Sequence, residues 1–389
     1  MQYRENKKGE KLSILGLGCM RLPTVAGKVD YKKAKAMIDF AIENGVNYFD
    51  TAYIYHGGQS EAVLGRALEG QRDKVNIATK LPQYLVRKRE QIDKYFDTQL
   101  ERLKTTYIDY YLMHMMRSLA DWERLVECGI VEWIADKKEK GIIRNIGFSF
   151  HGAQEEFIKL VDAYEWDFCQ IQYNYLDEGT QAGKVGLEYA HSKGLPLIIM
   201  EPLLGGQLAR KQTADIEKVF AGAKVKRSNA EWGLRWVWNH IEVKCVLSGM
   251  SNMEQLSENI NIASVAEANS LTDSELEIFE KVKKINSAKR KIPCTGCHYC
   301  MPCPKNVDIP GNFYDYNNLD ITRFSGKMKH LGFKSGITGG AGSGANKCIA
   351  CRKCVVHCPQ GIDIPTEMVL VKKKLEGGLY RAVTFIIRK

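Results

Sequence analysis

Eight times between residues 14 and 248, a short run of β-branched or apolar residues is followed by a stretch whose apolar side chains fall at helical spacing. The runs are Ile14 to Gly18, Val46 to Thr51, Val75 to Lys80, Ile108 to His114, Arg144 to Phe148, Phe168 to Tyr173, Pro196 to Met200 and Val243 to Ser248. Between the first two, Ala34, Met37, Ile38, Ala41 and Ile42 recur at i, i+3, i+4, and Asp30 stands where a helix N-cap belongs. Gly45, Gly141 and Gly194 each precede the next run, as glycines that end helices do. This alternation predicts an α/β fold, a (β/α)8 TIM barrel; a doubly wound open sheet is the rival arrangement. A charged hairpin from Gln2 to Ser13, turning near Gly9, is expected ahead of the barrel, and an amphipathic helix opening at Thr272 is expected to seal it.

A barrel of this kind takes about 250 residues, so a chain of 389 has room for a smaller second domain. Lys289-Arg290-Lys291 leads into a cysteine-rich tail, and the expected domains are 1–287 and 288–389. Hydrophobic residues are 44% and charged residues 26%, with no apolar run near the roughly 18 residues of a membrane span, which predicts a soluble core and no membrane partner. The start of the chain is charged and lacks the apolar stretch of a secretory signal, so a cytoplasmic location is expected. A net charge of +10 raises nucleic acid as a partner, but Lys and Arg are interleaved with acids rather than blocked together, and no nucleic-acid role is expected. An acidic redox partner or an anionic cofactor is the better use for that excess. The stretch 336–345, rich in Gly, lacks the lysine and hydroxyl that end a phosphate loop and reads as a mobile linker. No internal repeat is visible beyond the strand and helix alternation.

Twelve cysteines scattered through a reducing compartment would be a liability, but eight fall in two short clusters after Pro293. The first reads Cys294-x2-Cys297-x2-Cys300-x2-Cys303-Pro304 and the second Cys348-x2-Cys351-x2-Cys354-x3-Cys358-Pro359. Three cysteines at x2 spacing wrap one face of a [4Fe-4S] cubane, while the fourth, followed by proline, ligates the partner cluster. Two clusters are therefore expected, one on Cys294, Cys297, Cys300 and Cys358, the other on Cys348, Cys351, Cys354 and Cys303. Structural zinc would leave the middle cysteine of each triplet without a role. The intervening residues, helix-like from Gly311 to Ser325, predict a mainly α-helical ferredoxin module. The remaining four, Cys19, Cys128, Cys169 and Cys245, are read as small buried hydrophobes.

In a (β/α)8 barrel the C-terminal strand ends converge on one mouth. Asp50, Tyr55, Lys80 and His114 would meet there from three neighbouring strands. Here Phe49-Asp50-Thr51-Ala52-x-x-Tyr55, Ser60-Glu61-x-x-Leu64-Gly65, Thr79-Lys80 and Leu112-Met113-His114 resemble the aldo-keto reductase family. The resemblance continues through Ile146-Gly147-x-Ser149, Gln170-x-x-Tyr173-Asn174, Pro202-Leu203 and Gly249-x5-Gln255-x2-Glu258-Asn259, spanning about residues 10 to 265. With the cysteine tail, the chain resembles the bacterial and archaeal branch fused to a dicluster ferredoxin domain.

The resemblance implies an oxidoreductase interconverting a small-molecule carbonyl and alcohol, with electrons also carried by the clusters. A tyrosine with a pKa near 10 is a poor proton donor at neutral pH unless a cation stabilises its phenolate. Lys80, held by Asp50, would be that cation, Tyr55 the general acid or base, and His114 the donor that orients the carbonyl oxygen. The implied cofactor residues are Ser149, Gln170, Met200, Pro202, Leu203, Gly205, Gly249, Gln255, Glu258 and Asn259. Phe150 and Met200 replace an Asn and an aromatic residue that the family uses around nicotinamide, and Gly249 and Gln255 stand where a basic residue commonly grips the 2′-phosphate. Lys224, Lys226 or Arg227 would have to substitute. Nicotinamide moves two electrons and iron-sulfur clusters one at a time, so the cofactor is NAD(P)H or, as the group able to do both, FMN. A ferredoxin-like redox partner follows from the clusters. A reading from another class is an electron-transfer adaptor whose barrel no longer turns over and serves for docking.

Overall fold

The computed structural model describes every residue except 289, 295, 297–299, 339–340, 359 and 388–389, together with the backbone alone of 321. Its residues form two compact units, Met1–Phe279 and Glu280–Lys389.

In the first unit a hairpin of β1 (Tyr3–Glu5) and β2 (Lys11–Ser13) precedes β3 (Leu15–Gly18), and a second hairpin of β4 (Thr24–Val25) and β5 (Lys28–Val29) follows it. The strands β6 (Tyr48–Asp50), β7 (Asn76–Leu81), β8 (Ile108–Met116), β9 (Ile143–Phe150), β10 (Phe168–Gln172), β11 (Leu197–Met200) and β12 (Val243–Ser248) join β3 in a closed parallel barrel. Each expected run is one of these strands, with its ends moved by two residues at most. Around the barrel lie α1 (Tyr31–Glu43), α2 (Gln59–Ala67), α3 (Arg89–Leu103), α4 (Leu119–Glu127), α5 (Ile130–Glu139), α6 (Gln154–Asp162), α7 (Gly183–Ser192), α8 (Ala214–Ala221), α9 (Asn229–Trp238) and α10 (Met253–Val265). Asp30 caps α1 by accepting the Lys33 N–H. Helix α11 (Asp273–Ala288) opens with a reciprocal cap, in which Thr272 Oγ1 accepts the Glu275 N–H and Glu275 accepts the Thr272 N–H.

Side chains alternate along each strand, so every second residue points inward. Leu12, Tyr48, Ala78, Tyr110, Leu112, Phe168, Ile198, Cys245 and Leu247 fill the interior as one packed cluster. The first hairpin shuts the N-terminal end: Asn6 Nδ2 donates to the Tyr110 hydroxyl, and Arg4 donates to the backbone carbonyls of Trp238 and His240. Gly16 is required within this core, because a Cβ there would stand 2.8 Å from Leu247 Cδ2. One layer above the core on the same alternation come Asp50, Lys80 and His114, at the opposite end of the strands. The lone cysteines Cys19, Cys128, Cys169 and Cys245 are buried, as expected.

The second unit is helical, with α12 (Ile309–Asn317), α13 (Leu319–Lys334), α14 (Ile364–Leu375) and α15 (Gly378–Ile387). Contrary to the expectation of no repeat, its two cysteine loops run into helices in the same way. Cys303-Pro304-Lys305-Asn306-Val307-Asp308-Ile309-Pro310 and Cys358-Pro359-Gln360-Gly361-Ile362-Asp363-Ile364-Pro365 share a Cys-Pro-x3-Asp-Ile-Pro frame around an apolar residue. Asn306 and Gly361 both adopt positive φ, 56° and 62°, and both donate backbone bonds to the carbonyl of the preceding cysteine. Val307 with Ile309 and Ile362 with Ile364 then enter one core, against which Cys294, Cys300, Cys303, Cys348, Cys354 and Cys358 pack. The 336–345 segment is also no loose linker throughout. Ser343 O accepts hydrogen bonds from Asp308 N and Asn312 Nδ2, and Ala345 is buried in the core.

Candidate active site and cysteine cavity

Four polar residues expected at the mouth are together there. Lys80 Nζ lies 2.6 Å from Asp50 Oδ1, 2.6 Å from the Thr51 carbonyl and 3.4 Å from the Tyr55 hydroxyl. Asp50 and Lys80 end adjacent strands and are buried, with exposures of 3% and 1%. Tyr55 is presented by the turn Tyr55–Gly58, whose left-handed Gly57 and Gly58 lead the chain into α2. Its ring stands edge-on to His114 at 6.1 Å between centroids.

Burial costs the Lys80 ammonium solvation, but Asp50 and Tyr55 more than restore it, so the Lys80 pKa is raised and the group remains a cation. The Tyr55 phenol is subject to two opposing effects. Burial drives its pKa up, Lys80 pulls it back only in part, and the net direction is upward. The phenol is thus a proton donor at neutral pH rather than a standing phenolate. Burial, followed by the neighbouring Lys80 and His151, holds the His114 pKa well below 6.5, and its Nδ1 is buried without a partner. A neutral imidazole beside a protonated phenol can offer two donors to one oxygen.

The residues that hold this group in place are less evident in the sequence. Buried Gln99 of α3 donates to Glu61 Oε1 and to the Lys80 carbonyl, and accepts from the Tyr111 hydroxyl. Glu61 also accepts from Thr79 Oγ1 at 2.6 Å and from Arg102 at 3.1 Å. The strand carrying Lys80 is therefore clamped on its outer side by a satisfied polar network. Around His114 the ladder shifts between Met113 and Met116, where Met115 takes a left-handed φ of 59° and its N–H donates to Ser149 Oγ. Buried Tyr84, 6.3 Å from the imidazole between ring centroids, walls the same corner. Its only sequence signal was a place in the loop after β7.

Of the residues expected to hold a cofactor, Ser149 and Gln170 sit opposite each other on β9 and β10. Gln170 Nε2 reaches Met200 S at 3.5 Å, and its Oε1 is buried without a partner. Pro202 and Leu203 are buried, Leu203 against α9 at Gly233, so that the loop turns outward only at Gly205. Gln255 is folded back, accepting from Ser251 N at 2.9 Å, and Asn259 Nδ2 donates to Ser248 Oγ at 3.0 Å. Glu258 shares a shallow groove with Glu231 and Glu254. Arg227 is not available for a 2′-phosphate: it pairs with Glu275 and lies over the Trp232 ring.

In the second unit Cys303, Cys348, Cys351 and Cys354 line one cavity together with Lys305, Ile309, Ile349 and Met368. Among the described residues no three His, Cys, Asp or Glu side chains converge closely enough for a single metal ion, so these sulfurs surround a space instead of meeting at a point. Cys303, the proline-linked cysteine of the first motif, thus lines the same cavity as the triplet of the second. Cys294, Cys300 and Cys358 pack on the shared core, and Cys297 lies outside the described residues.

The aldo/keto reductase family model matches residues 14–284, and a 4Fe-4S dicluster domain matches residues 293–362. An uncharacterized oxidoreductase of Bacillus subtilis, YqkF, is 26% identical over 70% of this chain and 93% of its own length. L-galactose dehydrogenase of Arabidopsis thaliana is 29% identical over 71% of this chain and 93% of its own. Among solved structures, the holo form of aldo-keto reductase AKR11C1 from Bacillus halodurans superposes with a TM-score of 0.61 at 25% identity, covering 72% of this chain and 96% of that one. An aldo-keto reductase from Klebsiella pneumoniae in complex with NADPH has a TM-score of 0.58 at 21% identity, covering 73% and 96%, and shares the fold.

Proposed function

The chain belongs to the aldo/keto reductase family and is an oxidoreductase with a 4Fe-4S domain, and we propose that it interconverts a small carbonyl compound and its alcohol, with Tyr55 as the proton donor. The observation that carries this reading is the Asp50–Lys80–Tyr55 arrangement, in which a buried cation stands 3.4 Å from a phenol facing a neutral His114.

In the reductive direction a carbonyl carbon takes up hydride and its oxygen takes up a proton. A nicotinamide held at the mouth by Ser149 and Gln170 would supply that hydride and would itself be oxidised. His114 orients the carbonyl oxygen by hydrogen bonding, and the Tyr55 O–H gives its proton to that oxygen as negative charge develops. Lys80 stabilises the phenolate that remains, and Asp50 fixes the ammonium in position. In the oxidative direction Tyr55, deprotonated beside Lys80, takes the alcohol proton. Gln170 Oε1 is an unpartnered buried acceptor suited to a carboxamide N–H, and Ser149 retains its hydroxyl hydrogen after accepting from Met115. These two groups fit nicotinamide. FMN is a second reading, favoured by Phe150 and Met200 in place of the family's Asn and aromatic residue and by its ability to exchange single electrons with clusters. Acid denaturation of purified, cluster-loaded protein decides between them: released flavin supports FMN, and its absence removes it.

For the second unit we read two [4Fe-4S] clusters, one held by Cys348, Cys351, Cys354 and Cys303, the other by Cys294, Cys297, Cys300 and Cys358. The cavity lined by the first of these sets and the repeated Cys-Pro frame support that reading. Residues 280–389 hold 20 Lys and Arg against 7 Asp and Glu, a formal +13, which leaves residues 1–279 at −3. The positive excess therefore belongs to the electron-carrying unit rather than being spread along the chain. Ile349 and Val356, 58% and 81% exposed, flank exposed Cys351 beside Arg352 and Lys353. This surface suits an acidic, ferredoxin-like one-electron carrier. Among the described residues no helix is long and apolar enough to cross a membrane, and a cytoplasmic site of action is part of this proposal.

A further inference from the structure

Helix α15 carries its apolar side chains on the outside. Its inner side is Tyr380, which is buried with its ring 5.6 Å from His330 between centroids, flanked by half-buried Val383 and Thr384. On its outer side Leu379, Phe385 and Ile386 are 58%, 63% and 70% exposed, and Ala382 is exposed as well. Leu379, Ala382 and Ile386 fall at i, i+3 and i+7, which on an α-helix is one continuous stripe. On α14, Val369 and Leu370 are exposed too.

The charge around this stripe is of one sign. From Met368 to Lys389 the sequence holds Lys372, Lys373, Lys374, Arg381, Arg388 and Lys389 against a single acid, Glu376. Lys372, Lys373, Lys374 and Arg381 are exposed, whereas Glu376 is buried with its Oε1 3.5 Å from His330 Nε2. The outward charge is therefore positive. A second copy of the chain would bring these cations against their own counterparts across a two-fold contact, which disfavours self-association. The exposed side chains of α15 are apolar or cationic, with no neutral hydrogen-bonding group among them. Protein interfaces make about one hydrogen bond per 100–200 Å², whereas an apolar stripe edged by Lys and Arg is what the headgroup layer of an anionic bilayer accepts.

We propose that α15 and the Lys372–Lys374 turn of α14 dock the second unit on an anionic lipid surface. Leu379, Phe385 and Ile386 enter the boundary between headgroups and acyl chains, and the cations meet the lipid phosphates. Apolar burial and charge attraction add, and the helix lies in the plane of the interface without crossing it. The expectation of no membrane partner rested on the lack of a span, and this mode of binding needs none.

The test is cosedimentation of full-length, cluster-loaded protein with vesicles of phosphatidylcholine alone and of phosphatidylcholine mixed with an equal amount of phosphatidylglycerol. Wild type should bind the mixed vesicles, and salt should weaken that binding; the neutral vesicles should hold far less. Leu379→Ser combined with Ile386→Ser should weaken binding by about tenfold to a hundredfold. Changing Lys372, Lys373 and Lys374 together to Gln should cost about fivefold for each charge removed. Because all five side chains are exposed, iron content and thermal midpoint should not move in either variant. Wild type that leaves the mixed vesicles in solution would overturn the proposal, as would full binding by the Leu379→Ser, Ile386→Ser protein. Loss of affinity for an acidic ferredoxin in that variant, without vesicle binding by wild type, would assign the stripe to a protein partner and equally overturn it.

Discussion

Lys80 Nζ lies 2.6 Å from Asp50 Oδ1, and both side chains are shut away from water at the ends of neighbouring strands. Burying a lone charge is costly, and a buried pair is tolerated because each member compensates the other. Removing one member leaves the other's charge in a site built for two.

Lys80→Met should therefore destabilise the barrel by about 3–5 kcal/mol, and adding Asp50→Asn should restore much of the loss. All six tryptophans lie between residues 122 and 238, so tryptophan fluorescence during urea unfolding reports the barrel and not the cysteine unit. A Lys80→Met loss below about 1 kcal/mol, the value of an exposed pair, would contradict the burial argument.

His114 predicts a pH dependence. Its pKa in the folded chain is held well below 6.5 by burial and then by Lys80 and His151. Below about pH 6.5 the unfolded chain binds a proton that the native site refuses, so stability falls with falling pH, by about 1.4 kcal/mol per unit, until the native imidazole titrates. His114→Gln removes that proton uptake. The stability gap between wild type and variant should shift toward the variant by about this slope from pH 6 to pH 5. Parallel pH profiles would contradict a neutral buried imidazole.

The proposed ligation of the second cluster by Cys303 predicts the outcome of its loss. Cys303→Ser should strip the cluster on Cys348, Cys351 and Cys354, lowering iron content by about half and leaving the other cluster's resonance spectrum intact. Cys358→Ser should do the converse. If both variants lost the same cluster, the ligand assignment would be wrong.

The charge of +13 on residues 280–389 predicts salt-sensitive partnership. Reduction of the clusters by an acidic ferredoxin should slow by about tenfold or more from 0.05 to 0.5 M salt, while reduction by a neutral small molecule should not. Equal salt dependence for the two reductants would remove the case for an electrostatic docking surface.

The barrel was legible because periodicity and glycine punctuation repeat over eight units, so an error of a residue at any strand end changes nothing in the topology. The mouth was legible for the same reason: strand-end position fixes where Asp50, Lys80 and His114 emerge. What escaped depends on side-chain packing between distant segments. Gln99 is an unremarkable helical glutamine until α3 lies behind β7 and brings it to the Lys80 carbonyl. The direction of the Tyr55 shift was not legible, because spacing reveals the cation but not how far burial outweighs it. The Cys-Pro-x3-Asp-Ile-Pro repeat is too short to stand out by sequence alone, and its two copies are equivalent because both turn through left-handed residues into helices.

The central claim is that Tyr55 delivers the proton in carbonyl reduction with nicotinamide as the hydride source. It is tested by following nicotinamide oxidation against a panel of aldehydes and ketones, anaerobically, in wild type and Tyr55→Phe, with dinucleotide Kd measured in parallel. Wild type should turn over at least one carbonyl. Tyr55→Phe, which keeps the ring and loses only the hydroxyl, should fall by about a hundredfold to ten-thousandfold in kcat with Kd unchanged. Turnover retained by Tyr55→Phe would contradict the account.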